Sequence, residues 1–268
     1  MCDQPRCSRS HKPLVLLAWV IGTITSFGMV GQSVHAVEDP QWKPLFDGKS
    51  LDGWYVVIED KGRVETQDVF AVSSGMIHVY PTQREGSQQP FAGLFSEQEY
   101  DNYDLCLEFK WGRKKFKPRK HAVRDAGLLY HQHGENEIWP RSAECQIQEG
   151  DTGDIWLIKV QGTSKVSSLL HGFDAQGEVK TRGKKDDYAR FYRSYSWEKS
   201  GWNRVEIRVR GDAAEYYINN HLVNAVTNLS YWDKQRNDFF PLSRGRIALQ
   251  AEGAEIFYRD IQIRPSQK

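Results

Sequence analysis

Cysteine is scarce in this chain of 268 residues, which contains four. Cys2 and Cys7 lie near the start, so Cys106 and Cys145 are the pair that the rest of the chain can use. Two cysteines are too few for a disulfide scaffold, and a domain of this length does not need one because its core is large. Whether Cys106 and Cys145 form a single disulfide stays open at this point.

The chain also lacks an excess of charge of either sign. Its 36 Lys and Arg residues nearly balance 35 Asp and Glu residues, giving a formal net charge of +1. A nucleic-acid or anionic-membrane partner would therefore need a local basic patch. Residues 112–124 hold such a run of Lys and Arg, but with little aromatic interleaving, so we interpret it as a solvated loop. No nucleic-acid partner is expected.

Several familiar motifs are missing. The sequence contains no Gly-x-Ser-x-Gly, no phosphate-binding loop and no dinucleotide fingerprint, so acyl transfer and nucleotide chemistry lack support. No segment keeps a 3.6-residue hydrophobic period over three turns, which argues against a helical fold. Aromatic residues, in contrast, reach 12% with nine Trp, which suits either a β-rich core or a carbohydrate-binding face.

Residues 1–36 have the pattern of a secretory signal peptide. Three basic residues precede the apolar run 13–22, and Val34-His35-Ala36 is a small-x-small cleavage pattern. We predict cleavage after Ala36 and export to the periplasm or the extracellular space, with no stable membrane insertion afterwards. An uncleaved membrane anchor is the alternative, because the run approaches spanning length.

The remaining chain alternates apolar and polar residues with a period of two. Residues 103–111, 202–210 and 255–263 show the alternation most clearly. Segments 69–72 and 76–80 flank Ser73-Ser74-Gly75, which is a hairpin signal. Strands separated by turns, without intervening helices, predict an all-β fold: an antiparallel β-sandwich or jelly roll.

We predict one domain over residues 45–264, because both ends of this range have strand patterns. Three polar insertions interrupt it, at residues 112–124, 160–196 and 228–243. Long loops in a compact domain are usually functional or mobile.

A polar strand face marks the candidate site. On a predicted strand at 143–149, Glu144, Gln146 and Gln148 share one face, while Cys145 and Ile147 share the other. Three polar side chains on one face are costly unless that face is wet. A sugar-binding jelly roll presents such a face, although an ordinary solvent-facing strand is the alternative.

Glu144 and Glu149 resemble part of the Glu-x-Asp-x-x-Glu ladder of jelly-roll endoglucanases, in which two Glu residues flank the scissile bond. Gln146 stands at the Asp position, and a neutral amide cannot tune the neighbouring carboxylates as an Asp would. A spacing of five residues places both Glu side chains on one face only through a bulge. A retaining endoglucanase is therefore the weakest of the enzyme interpretations.

Metal binding stays an open alternative. His131 and His133, two residues apart on a predicted strand, could share a face and bind a divalent cation. Neither a His-x-x-x-His nor a Cys pair supports this interpretation. The residues alone therefore predict no cofactor.

A set of short motifs, in a fixed order along the chain, resembles the 3-keto-disaccharide hydrolase family found in exported proteins of carbohydrate-degrading bacteria. The resemblance spans residues 45–264 and implies a concanavalin-like jelly roll. This chain departs from the family in having Asp125-Ala126 where the family has Asn-Ser, and in its insertion at 112–124. The matching segments are Leu45-Phe46-Asp47-Gly48-Lys49-Ser50-Leu51-Asp52-Gly53-Trp54, Gly127-Leu128-Leu129-Tyr130-His131, Glu144-Cys145-Gln146-Ile147, Gly201-Trp202-Asn203, Gly245-Arg246-Ile247-Ala248-Leu249-Gln250 and Phe257-Tyr258-Arg259-Asp260-Ile261.

The resemblance implies cleavage of 3-keto-glycosides. A ketone at C3 of a sugar acidifies the C2–H bond, so a base can remove that proton, the C1 substituent leaves by β-elimination, and water then adds. This route needs one base and one oxyanion stabiliser. We expect Glu144 to be the base, and His131 or a bound cation to stabilise the enolate or protonate the leaving group. The expected sugar-orienting residues are Asp125, Tyr130, Trp139, Gln146 and Glu149.

The expected partner is an oxidised sugar glycoside, supplied by a sugar 3-dehydrogenase acting upstream. The rival interpretation is a carbohydrate-binding module with the same fold and the same aromatic face but no turnover. Glu144 discriminates between them, because a binding module has no reaction for Glu144→Gln to abolish.

Overall fold

The structure is a computed structural model that describes residues 41–266. Within this range no helix is long and apolar enough to cross a membrane. The predicted signal peptide, residues 1–36, lies outside the described residues.

The regular structure of the described residues consists of β-strands, numbered here in chain order. The first ten are β1 (Lys43–Pro44), β2 (Trp54–Ile58), β3 (Gly62–Val64), β4 (Phe70–Ser73), β5 (Met76–Val79), β6 (Ala92–Ser96), β7 (Tyr103–Lys115), β8 (Asp125–His133), β9 (Arg141–Gln148) and β10 (Ile155–Ile158). The remainder are β11 (Val160–Val166), β12 (Glu178–Arg182), β13 (Tyr188–Phe191), β14 (Asn203–Arg210), β15 (Ala213–Ile218), β16 (His221–Asp233), β17 (Asp238–Pro241), β18 (Arg246–Ala251) and β19 (Ala254–Pro265).

These strands form two sheets. The larger has the order β12-β11-β16-β15-β14-β7-β19-β5-β4, with β1 paired to β19 and β17 paired to β16. The smaller has the order β13-β10-β9-β8-β18-β6-β2-β3. Neighbouring strands at the centre of each sheet, such as β8 with β9 and β7 with β14, are antiparallel. The predicted antiparallel β-sandwich of the jelly-roll class is therefore confirmed.

The period-two alternation explains the core. Leu105, Leu107 and Phe109 of β7 belong to the same buried cluster as Leu128 of β8 and Ile147 of β9. Each alternate residue thus enters the layer between the sheets, where burial of a large apolar side chain stabilises the fold by about 1.5–3 kcal/mol. Truncation of the fully buried Phe109 to Ala would cost roughly 3–5 kcal/mol.

Tight turns join several neighbouring strands, as the sequence predicted. Ser74 and Gly75 connect β4 to β5 with φ angles of 51° and 76°. Asn219 and Asn220 connect β15 to β16 with φ angles of 48° and 69°. Two consecutive positive φ angles match the twist of a two-residue hairpin, and Asn and Gly tolerate them best.

The three predicted insertions are not simple loops. β7 runs on to Lys115, the 160–196 segment contributes β11, β12 and β13, and the 228–243 segment contains the end of β16 and all of β17. The edge strand β12 is polar and largely exposed. An edge strand forms through backbone pairing and needs little apolar surface, so hydrophobic alternation did not reveal it.

Cys106 and Cys145 are both buried and free. Cys106 belongs to β7 in the larger sheet, and Cys145 belongs to β9 in the smaller sheet. Residues 41–266 therefore contain no disulfide.

Candidate active site

The outer face of the smaller sheet carries the candidate site. In β9, Cys145 and Ile147 enter the core, whereas Glu144, Gln146 and Gln148 line a cavity of about 240 Å³ on the opposite face. This alternation is the one predicted from sequence. The polar residues that line the cavity are Arg119, Asp125, Glu144, Gln146, Gln148 and Glu252, and the other lining residues are Trp139, Trp156, Ile158 and Tyr188.

Gly127 creates room at the centre of this face. A Cβ atom on Gly127 would lie 2.2 Å from Glu144 Oε1 and 2.1 Å from Gln250 Oε1. Real Cβ contacts are never this short, so only glycine lets both side chains occupy their positions. Two side chains from β9 and β18 thus converge over one backbone position of β8.

Asp125 is held by three donors. Gln146 Nε2 donates to its Oδ1 over 2.9 Å, Gln148 Nε2 donates to its Oδ2 over 2.7 Å, and the Arg119 guanidinium also donates to Oδ2. Burial raises the pKa of Asp125, whereas the charge of Arg119 lowers it. Hydrogen bonds from cationic and amide donors favour the carboxylate form.

Glu252 is a buried carboxyl group with a strongly raised pKa. Burial first, and then the charge of Asp125, raise its pKa to about 8. The indole Nε1 of Trp139 donates to Glu252 Oε1 over 2.9 Å and opposes this rise. At neutral pH both protonation states of Glu252 are therefore accessible.

Burial also favours the protonated form of Glu144. The residue is 5% exposed, and burial raises its pKa well above the ordinary value, with further contributions from Glu252 and Asp125. Arg190 is the cation that opposes this rise. Since three neighbouring carboxyl groups cannot all ionise, the site combines proton donors with proton acceptors in one cavity. This combination is what general acid–base catalysis requires.

The structure does not bring His131 to this cavity. Its ring is buried, and its Nε2 lies 3.0 Å from the carbonyl oxygen of Gly211, in the turn between β14 and β15. Burial lowers the pKa of His131 to about 4, so the ring is neutral at physiological pH. A positive φ of 55° at a register shift of β8 turns the residue away from the face that Asp125 occupies.

Two predicted sugar-orienting residues also lie elsewhere. Tyr130 is fully buried between the sheets, where its hydroxyl lies 2.9 Å from that of Tyr216. Glu149 follows β9, and its carboxylate forms a bidentate pair with Arg124. Glu144 and Glu149 therefore do not share a cavity, and the pair that an endoglucanase would need is not assembled. Asp125, Trp139 and Gln146, in contrast, line the cavity.

The histidine pair does not form a metal site. His133 packs against Tyr231 with ring centroids 4.8 Å apart and the rings tilted by 40°, while His131 is inside the sandwich. Across residues 41–266, no group of three or more His, Cys, Asp or Glu side chains is arranged to hold a metal ion.

Sequence reasoning missed Trp156, Ile158 and Tyr188 of the cavity lining, and also Arg119, Gln250 and Glu252. The signal for the last two was present, because the β18 alternation extends to position 252 and places both on the face opposite Leu249 and Ala251. Arg119 was assigned to a solvated loop, but the segment folds back so that its guanidinium reaches Asp125. No sequence pattern around Arg119 indicates that this segment folds back toward Asp125.

The model of the 3-keto-alpha-glucoside-1,2-lyase-like domain family matches residues 41–264. Two solved structures of candidate glycosyl hydrolases from Parabacteroides distasonis are similar to this one. The first is 18% identical with a TM-score of 0.51, covering 84% of this chain and 99% of that chain. The second is 15% identical with a TM-score of 0.52, covering 84% and 94%. Identities this low show a common fold. No curated protein matches the sequence.

Proposed function

This chain belongs to the 3-keto-alpha-glucoside-1,2-lyase-like domain family, and on that premise we propose that it cleaves 3-keto-glycosides by proton abstraction at C2, β-elimination and rehydration. The observation that carries the proposal is the convergence of Asp125, Glu144 and Glu252 on one cavity, with the pKa of each raised by burial. Elimination next to a ketone needs paired proton transfers, and this cluster can supply them.

Glu252 is the proposed base. Its pKa of about 8 lies near neutral pH. A base works best when its pKa is close to the operating pH, because enough of it is ionised and it still binds a proton strongly. The carboxylate takes the C2 proton, and the electrons of the C2–H bond form the C2–C3 double bond of the enol. Glu144 is the proposed acid, which donates its proton to the C3 oxygen. This assignment reverses the role predicted for Glu144, because burial and two neighbouring carboxyl groups favour its protonated form.

The second half of the reaction expels the C1 substituent and then adds water. Glu144 takes back the proton from the C3 oxygen, the ketone reforms, and the C1–O bond breaks with formation of a C1–C2 double bond. The proton now on Glu252 passes to the departing oxygen. Water then adds across C1 and C2, so that the net reaction is hydrolysis. Each carboxyl group thus returns to its starting state.

The residues that line the cavity are proposed to orient the sugar. Gln146 and Gln148 are already fixed by Asp125, and fixed donors and acceptors cost little entropy on binding. Trp139 and Trp156 also line the cavity, where an indole can stack on a sugar ring. The same two indoles suit a carbohydrate-binding module, which is the second candidate function.

The test is a turnover screen of 3-keto-glucosides against the same glucosides without the ketone. We expect cleavage of the ketone substrates alone, because without the ketone the C2 proton is not acidic enough to remove. Binding of sugars without turnover of any ketone substrate would favour the binding module. Equal cleavage of the unoxidised glucosides would overturn the proposed mechanism.

We also propose where the protein is located and which kind of enzyme supplies its substrate. The pattern of residues 1–36 supports export with cleavage after Ala36, and the required substrate implies an upstream sugar 3-dehydrogenase. N-terminal sequencing of protein recovered outside the cytoplasm tests the first point. A chain that still begins at Met1 would favour the anchor.

A further inference from the structure

Gln250 is a buried amide without partners. The side chain is 0% exposed, and neither its Nε2 nor its Oε1 has a hydrogen-bond partner among residues 41–266. A buried amide in this state is costly, and native proteins rarely keep one without a use. Gln132 is equally buried, and its Oε1 also has no partner among these residues, but its Nε2 donates to two backbone carbonyl groups.

The position of this amide indicates what it serves. Gln250 Oε1 and Glu144 Oε1 both lie close to the point that a Gly127 Cβ would occupy, at 2.1 and 2.2 Å. The amide therefore lies beside the Glu144 carboxyl, underneath the cavity. The charged and titratable groups that act on Glu144 are Glu252, Asp125 and Arg190, which come from three other segments.

We propose that Gln250 is a positioning residue for Glu144, and that its amide stabilises both protonation states of that carboxyl in turn. The amide oxygen accepts a hydrogen bond from the protonated carboxyl; after a half-turn of the amide, the NH₂ group donates to the carboxylate. The terminal torsion of a glutamine is broad and roughly two-fold, so this rotation is easy. The inference rests on the proposed function, in which Glu144 gives up a proton and then takes it back.

The role of Gly127 follows from the same geometry. Any side chain at this position would separate the amide from the carboxyl. The backbone of Gly127 has no positive φ, so the glycine is required by the space that the two side chains fill and not by its own conformation.

Kinetics give the first test. Gln250→Met keeps an unbranched side chain of similar length but removes the donor and the acceptor. We expect kcat on a 3-keto-glucoside to fall roughly tenfold to hundredfold. KM should stay within about twofold, because Gln250 is buried beneath the cavity and does not reach the sugar. Gln132→Met is the matched control, since it removes another buried glutamine and should leave kcat unchanged.

Nuclear magnetic resonance gives a second test that needs no activity. In protein labelled with ¹⁵N at glutamine side chains, the Gln250 NH₂ signal should move with pH at the midpoint of the Glu144 carboxyl. This movement should vanish in Glu144→Gln. A Gln250 signal that ignores the Glu144 titration, or a folded Gln250→Met with wild-type kcat, would overturn the inference. Failure of the proposed function is distinguishable, because the coupling would persist in a protein that turns over no 3-keto-glycoside.

Discussion

Trp139 and Glu252 are joined by a 2.9 Å hydrogen bond from the indole Nε1 to a carboxylate oxygen, although they lie 113 positions apart in the chain. The bond links the segment between β8 and β9 to the turn that follows β18. It favours the ionised form of a carboxyl group whose burial favours the neutral form. Burial and Asp125 raise the pKa of Glu252 to about 8, while Trp139 and the charge of Arg119 oppose the rise, so Trp139 is one of the groups that would determine the pH range of the proposed base.

Trp139→Phe should move the pH profile of the reaction. Phe keeps an aromatic ring but removes the N–H donor, so the pKa of Glu252 rises and a smaller fraction of it is ionised at neutral pH. The acidic limb of the kcat/KM profile should therefore shift to higher pH, with activity recovered under alkaline conditions. Trp156→Phe is the matched control, because Trp156 is another Trp that lines the same cavity. An unmoved profile in Trp139→Phe would show that Glu252 does not limit the rate through its ionisation.

The stability of the protein should fall as the pH rises between about pH 5 and pH 8. The folded protein binds the Glu252 proton up to about pH 8, whereas an unfolded chain loses it near the ordinary pKa of 4.5. Protonation thus stabilises the folded state at low pH, and this contribution is lost as the pH rises through the folded pKa. Glu252→Gln should flatten the slope, as measured by urea unfolding across this range. A variant with the wild-type slope would contradict the raised pKa.

Much of the fold could be predicted from sequence because sandwich strands must alternate between core and surface. The same rule identified the faces of Glu144, Gln146 and Gln148. Alternation acts locally, however, and it cannot show which strands become neighbours. The contact between Trp139 and Glu252 depends on β8 pairing with both β9 and β18, which no short segment encodes.

His131 shows most clearly what strand alternation cannot predict. A regular strand would place it on the same face as Asp125, Gly127 and Leu129, and the expected role in catalysis depended on that regularity. The register shift after Tyr130 redirects the ring toward Gly211 instead. Bulges depend on tertiary pairing, so the residue types around His131 did not reveal this one.

Glu144→Gln should abolish turnover and keep the fold. The amide cannot donate a proton to the C3 oxygen, so the rate should fall roughly 10²- to 10⁴-fold. Stability should stay equal or rise, because the change removes a buried ionisable group that interacts unfavourably with Glu252 and Asp125. Glu97→Gln is the control, since Glu97 forms an exposed ion pair with Arg63. Near-wild-type turnover with an unchanged melting profile would remove Glu144 from the mechanism.

The reaction should pass through a carbanion at C2. When a 3-keto-glucoside is cleaved in deuterated water, we expect deuterium at C2 of the released 3-keto-glucose, as measured by mass spectrometry. The reason is that the proton taken by Glu252 goes to the departing oxygen, and water then supplies the new hydrogen at C2. An oxocarbenium route leaves the C2–H bond intact and gives no label.

A substrate deuterated at C2 separates the remaining alternatives. If proton abstraction by Glu252 limits the rate, the deuterated substrate should react several-fold more slowly, whether or not the base returns the same proton. Product without label, combined with an isotope effect, would mean that Glu252 returns the same proton to C2 and that another group protonates the departing oxygen, which would contradict the proposed transfer from Glu252 to that oxygen. Product without label combined with no isotope effect would contradict the carbanion route. The cluster of Asp125, Glu144 and Glu252 would then have to act on the glycosidic bond directly, and an unoxidised glucoside should be an equally good substrate.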